Sequence, residues 1–246
     1  MKPKIAFFDI ETAPLKGYTW GIWETNVIEV AEDWFLLSYA MKWEGQKTIH
    51  VKALPDYRGY KSNKKNDKAL ATDLWKMMDE ADVIIAHNGD AFDIKKANAR
   101  FIAHGLPPVS PYKSIDTLKI ARRNFKFDSN KLDNLGKYLK VGAKLPHTGK
   151  HLWFGCMEGD EKAWRLMRRY NKQDVALLER VYLKMRPWAN TGHPDMRLVG
   201  GVNYCCPTCR SKNVKSKGKL YTLTTIKQRM QCQDCGRHYV GAKVKV

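Results

Sequence analysis

Residues 7–11 read FFDIE, two carboxylates closing an apolar run that begins at Ile5. A short, continuous apolar run predicts a strand buried on both faces. Alternate side chains of a strand share a face, so Asp9 and Glu11 point one way and Ile10 the other. Two anions side by side at the edge of an apolar sheet repel each other and are poorly solvated. A divalent cation is the simplest group to neutralise them.

Outward from this strand, a loop over 12–33 containing GYTWGIWETN leads to two strand-like segments, 34–43 and 47–54, joined by the turn Glu44-Gly45-Gln46. Leu70, Leu74, Met77 and Met78 recur at helical spacing in the next segment. Residues 82–88 (DVIIAHN) read as a second buried strand, 93–105 as a helix ended by Gly105, 114–118 (SIDTL) as a short strand and 130–140 as a helix. The longest helix spans about 159–185 and stops at Pro187. An antiparallel meander followed by βαβ crossovers predicts an α/β domain, a mixed five-stranded sheet with flanking helices. Pro and Gly then mark a linker over 187–200, so the expected division is 1–186, linker, and 201–246.

Forty-four Lys and Arg against twenty-five Asp and Glu give a net charge of +19, which points to a polyanionic partner. No run approaches the ~18 apolar residues that span a bilayer. The apolar stretch after Lys2 and Lys4 breaks at Asp9, too early for the core of a secretory signal, so a cytoplasmic protein with no membrane partner is expected.

Further carboxylates can converge on the first strand. HNGDAFD places Asp93 just past the carboxyl end of a strand, where open α/β sheets bind ligands. In YNKQD, Tyr170 and Asp174 are four residues apart and share a helix face. Asp9, Glu11, Asp93 and Asp174 could together hold two divalent ions for in-line phosphoryl displacement. Each residue also has a plainer reading: Asp93 as a helix N-cap, Tyr170 as a core aromatic, Asp116 as structural. Asp90 competes with Asp93, and the Asn88…Phe92-Asp93 pattern selects Asp93.

FDIET, NGDAFD and YNKQD, in this order over roughly residues 4–186, resemble the three motifs of the DEDD superfamily of 3′→5′ exonucleases, tyrosine branch, whose members include proofreading domains of family-B DNA polymerases and ribonuclease D. The predicted element order is also that of ribonuclease H-like folds. The resemblance implies that Asp9, Glu11, Asp93 and Asp174 bind two Mg²⁺ or Mn²⁺, while Tyr170 orients the attacking water. Five residues before Asp174, where the histidine branch has His, this chain has Arg169. DNA is the preferred expected substrate and RNA the alternative. A catalytically silent nucleic-acid-binding or replication-adaptor protein is the rival from another class.

Aromatic and basic residues extend the expected nucleic-acid surface. Tyr18, Trp20 and Trp23 follow the first strand, Asn88 and Phe92 flank Asp93, and ARRNFKF supplies Arg122 and Arg123 beside phenylalanines. Packing across the sheet competes for the first three, and a solvated helix end for the last segment.

Beyond residue 200, CCPTCR and CQDCGR carry two CxxC pairs, Cys206/Cys209 and Cys232/Cys235. Four thiolates meeting on one structural Zn²⁺ predict a small β zinc ribbon, with Cys205 as a competing ligand to Cys206. Residues 201–246 contain ten Lys and Arg against Asp234 alone, including Lys215, Lys217, Lys219 and Arg229. A metal-folded platform of that charge is expected to grip a phosphate backbone. Docking of a replication or repair protein is the alternative.

Overall fold

A computed structural model describes residues 3–24, 26–189, 194–198 and 204–243. The opening strand β1 (Ile5–Thr12) is followed by a small hairpin, β2 (Lys16–Tyr18) and β3 (Glu29–Glu32), inside the segment read as a loop. Strands β4 (Leu36–Trp43) and β5 (His50–Ala53) complete the meander. Then come α1 (Lys68–Asp79), β6 (Val83–Ala86), α2 (Asp93–Ala103) and β7 (Lys113–Asp116). The sheet order is β5-β4-β1-β6-β7, with β1 antiparallel to β4 and parallel to β6. The expected mixed five-stranded sheet is therefore present.

Two helices depart from the sequence reading. Residues 114–118 are not one strand: β7 ends at Asp116, whose carboxylate accepts the Leu118 N–H at 2.9 Å and starts α3 (Thr117–Asn124). An Asp at this position competes with strand continuation by capping. After α4 (Leu132–Tyr138), an unpredicted α5 (Lys150–Glu158) ends in Gly159 at φ 92°, and Asp160 caps α6 (Glu161–Met185). The left-handed glycine closes α5 just before the long helix, which runs as expected to Met185.

Side-chain alternation along β1 sorts the core. Ala6, Phe8 and Ile10 join a cluster with Leu70, Leu74 and Met78 of α1. Ile5 and Phe7 join the other cluster, with Val175, Leu178 and Tyr182 of α6. Asp9 and Glu11 continue the row of Ile5 and Phe7, so they face α6 at the sheet's carboxyl end.

The C-terminal region is a three-stranded sheet, β10-β9-β8, made of β8 (Val214–Tyr221), β9 (Ile226–Cys232) and β10 (His238–Lys243). Residues 190–193 and 199–200 of the expected linker, with 201–203 after it, lie outside the described residues. In the described part Met196 is buried and its N–H donates to the Pro207 carbonyl at 2.7 Å. Arg237 donates through Nη1 to the carbonyls of Pro187 (2.9 Å) and Ala189 (2.8 Å), tying the small sheet to the end of α6. Among the described residues, no helix is long and apolar enough to cross a membrane.

Candidate active site

The carboxylate oxygens of Asp9, Glu11 and Asp174 lie within 4.8 Å of one another. β1 supplies the first two, and α6, crossing that face of the sheet, supplies the third. Asp93, the first residue of α2, is buried beside them without belonging to that close group, and it adds to the repulsion felt by Asp9. Its Oδ1 accepts the Ile10 N–H of β1 at 3.2 Å.

Donors from distant segments aim the other carboxylates. Asn171 Nδ2 donates to Asp9 Oδ2 at 2.6 Å, and its Oδ1 accepts from Ser38 Oγ. Trp153 Nε1 donates to Glu11 Oε2 at 3.1 Å. Lys144 Nζ bonds both Asp174 Oδ2 and, at 3.0 Å, Tyr170 Oη. The Tyr170 ring packs edge-on against both His147 (4.9 Å) and Trp153 (5.9 Å), which also meet each other at 5.2 Å.

The electrostatics are those of a site short of positive charge. Burial, then Asp93, Asp174 and Glu11, hold the Asp9 carboxyl well above its ordinary range. Burial and then Asp174 push Glu11 to about 8, while burial raises Asp93 to about 7 against the pull of the Ile10 N–H. Burial also raises Asp174, with Lys144 opposing. Burial pulls the Lys144 ammonium down, but Asp174 and Tyr170 outweigh it and hold the lysine charged. The Tyr170 hydroxyl is raised by burial and by Asp174, so it stays protonated. Asp174 Oδ1 is buried with no hydrogen-bond partner, an expensive state unless a cation sits there. These residues fit divalent metal ions: oxygen donors, excess negative charge and an orphaned oxygen.

Two cavities flank the carboxylates. One of about 520 Å³ is lined by His87, Asn88, Arg122, Lys131 and Lys144; the other, about 430 Å³, by Thr12, Trp34, Lys96, Lys150 and Trp153. The sequence-predicted residues divide around them. Asn88, at φ 63°, donates its N–H to Asp116 Oδ1 at 2.9 Å, which makes Asp116 structural as expected. Phe92 is exposed beside Lys96, and Arg122 and Arg123 lie exposed on α3. Tyr18 sits on the small hairpin, and Trp20 and Trp23 at its tip are 84% and 93% exposed, not packed across the sheet.

Lys144, Asn171 and Trp153 escaped the sequence reading. Lys144 lies in an aperiodic loop, and only its contacts reveal it.

In the small sheet the sulfurs of Cys206, Cys209, Cys232 and Cys235 group within 4.8 Å, with Cys206–Cys235 and Cys209–Cys232 both at 3.6 Å. A tetrahedron with ~2.3 Å Zn–S bonds separates sulfurs by about 3.8 Å, and a disulfide by about 2 Å. The cluster fits a zinc ribbon. Cys205 is buried but stands outside the four. Lys215, Lys217, Lys219 and Arg229 are all exposed, and a register shift between Ser216 and Lys219 breaks their alternation. Lys215 pairs with Gln231 on the face of Lys227 and Arg229, whereas Lys219 pairs with Gln228 on the other.

Sheet order and carboxylate placement define a ribonuclease H-like α/β domain with a candidate metal centre. A family model described as the RNase_H superfamily matches residues 6–186, and the chain belongs to that superfamily. Among solved structures, the family B DNA polymerase from the hyperthermophilic archaeon Pyrobaculum calidifontis is similar, with a TM-score of 0.54 and 17% identity over 77% of this chain and 26% of that one. The chain thus spans about a quarter of the polymerase's length, and at this identity the likeness is one of fold. No curated protein matches the sequence. Superfamily membership supports a nuclease acting on nucleic acid.

Proposed function

We propose that the protein is a metal-dependent 3′→5′ exonuclease, with DNA 3′ ends or single-stranded DNA as substrate and RNA as the alternative. The observation that carries this reading is the convergence of Asp9, Glu11 and Asp174 around a buried carboxylate oxygen that no donor satisfies. A catalytically silent binding protein has no use for uncompensated anions where phosphates must approach.

In this reading Asp9, Glu11, Asp93 and Asp174 hold two Mg²⁺ or Mn²⁺. Bound there, such ions lower the pKa of the attacking water and stabilise charge on the attacking and leaving oxygens. The chain's own residues do the rest. Asn171, Trp153 and the Ile10 N–H fix the rotamers of Asp9, Glu11 and Asp93, so that their remaining oxygens point into the site. Tyr170, protonated and packed against His147 and Trp153, orients water and does not remove its proton. Lys144 balances Asp174 and keeps one cation beside the place where a phosphate arrives. The cavity next to Glu11, with Lys96, Lys150, Trp34 and Trp153, suits a terminal nucleotide: rings for a base, ammonium groups for phosphate.

The small domain, folded on one structural Zn²⁺ held by Cys206, Cys209, Cys232 and Cys235, supplies grip through its basic face. The deciding experiment incubates end-labelled single-stranded DNA, duplex DNA and RNA with magnesium or manganese. A ladder shortening from the 3′ end supports the reading. Cleavage from the 5′ end or internally, or none on any substrate, overturns it.

A further inference from the structure

Four aromatic rings outside the catalytic cleft form a continuous strip. Tyr138 at the end of α4 meets Phe127 edge-on at 5.1 Å, Phe127 stacks on Phe125 at 5.0 Å, and Phe125 meets Trp188 at 5.8 Å. Phe125 and Phe127 are half-buried against the α6-side core, which fixes the strip in place. The outer rings are open, Tyr138 at 67% and Trp188 at 64% exposure. Core packing explains the inner pair and leaves the outer pair unexplained.

The two helices that lead to Phe125, Phe127 and Tyr138 begin at the catalytic cleft. α3 contributes Leu118 and Arg122 to the cavity bordered by Lys144, and Phe125 and Phe127 follow its last turn. α4 contributes Leu132, just after Lys131, to the same cavity and ends at Tyr138. At the far end Trp188 lies between the two carbonyls that Arg237 of the ribbon grips. The strip therefore connects the cleft to the ribbon, with exposed Arg122 and Lys126 beside its rings. Aromatic faces stack on bases of any identity while neighbouring cations follow the phosphates. A duplex hides those base faces, and a purely apolar protein partner gains nothing from the cations.

We propose that this strip is a second binding subsite for single-stranded nucleic acid, taking bases several nucleotides upstream of the scissile bond. Its orientation relative to the 3′ end rests on the exonuclease reading; its occupancy does not. From Asp174 to Met185 α6 rises about 16 Å, more than a dinucleotide can span. A dinucleotide seated at the carboxylates therefore falls short of Trp188, and a dodecanucleotide reaches it.

The test measures binding of dT12 and dT2 by competition anisotropy on the full-length, zinc-loaded Asp174→Asn protein, so that turnover is minimised. Tyr138→Ala and Trp188→Ala are each expected to weaken dT12 by about fivefold or more, the low end of the range for one stacked base. Binding of dT2 should stay unchanged, and Trp188→Phe should retain most of the dT12 affinity. Unchanged dT12 binding overturns the proposal and turns the strip into a protein-docking face. Equal losses on dT12 and dT2 overturn it too, since they place the effect in the cleft. Should Trp188→Ala alter the melting curve, Tyr138→Ala decides alone. Failure of the wild-type protein to hydrolyse either DNA or RNA would sink the exonuclease reading and leave this result intact.

Discussion

β1 and β8 are each eight residues long, yet β1 buries Ile5 through Phe8 and Ile10 while β8 buries none of its side chains. Around β1, apolar side chains cover both faces of the sheet, and the polar groups at its end are held by donors from distant segments. Around β8, the deeply buried residues are Met196, Cys205, Cys206, Thr208 and Cys232. At ~25 cal/mol per Å² of buried apolar surface, the larger domain stabilises itself by exclusion of water. The small sheet has no comparable source, and its four clustered sulfurs fit a metal whose ligand bonds would supply one. The comparison teaches a division of labour: the self-sufficient domain tolerates buried, repelling carboxylates, and the small one presents charge with little core beneath it.

The largest expected effect tests the catalytic half of that division. Asp174→Asn should lower turnover by about a thousandfold, since a lost metal ligand removes several kcal/mol of transition-state stabilisation at ~1.4 kcal/mol per decade. The folded protein should still bind DNA, as gel-shift measurement checks. Undiminished turnover in pure protein would break the site assignment.

Cys209→Ser, or zinc chelation, should unfold the ribbon and spare the larger domain. Amide exchange should rise in residues 204–243 while β1, β4 and β6 stay protected. Affinity should fall, and if three phosphates lose their partners the log K against log salt slope should flatten by about 2, at ~0.7 per phosphate on a single strand. Collapse of both regions together would mean that the Arg237 contacts couple them, sharpening the comparison against independence.

Tyr170→Phe removes the hydroxyl that Lys144 contacts and keeps the ring packed against His147 and Trp153. Turnover should drop by about ten- to a hundredfold, since positioning is lost and charge retained. A loss equal to that of Asp174→Asn would assign the hydroxyl a larger role.

The smallest effect is on stability. Without divalent ions at the carboxylates, the folded protein holds Glu11 at about 8, and the unfolded chain at ~4.3. Between these values the folded state keeps a proton that the unfolded state has released, so stability falls as pH rises from about 5 to 8. Melting temperature should decline across that window, and decline less in Glu11→Gln. A flat profile in the parent would show that the burial of Glu11 is relieved by solvent.

Much of this was legible in the sequence because its signals are local. The apolar run of FFDIE fixes a buried strand and period-two alternation puts Asp9 and Glu11 on one face. Helical spacing pairs Tyr170 with Asp174, and the CxxC pairs announce a four-sulfur cluster. Net charge named a polyanion as partner. Tertiary structure alone decided what meets these residues. Lys144 reaches Asp174 across thirty residues and Asn171 reaches Asp9 across more than a hundred and sixty; no period relates such positions. The start of α3 at Thr117 turned on one capping bond from Asp116, and the faces of Lys215 and Lys219 on a register shift in β8. Phe125, Phe127, Tyr138 and Trp188 come from separate elements and share a strip only because α3, α4 and the end of α6 pack side by side. Periodicity is set by the geometry of a single backbone segment, whereas these contacts are set by which surfaces the whole chain had to bury.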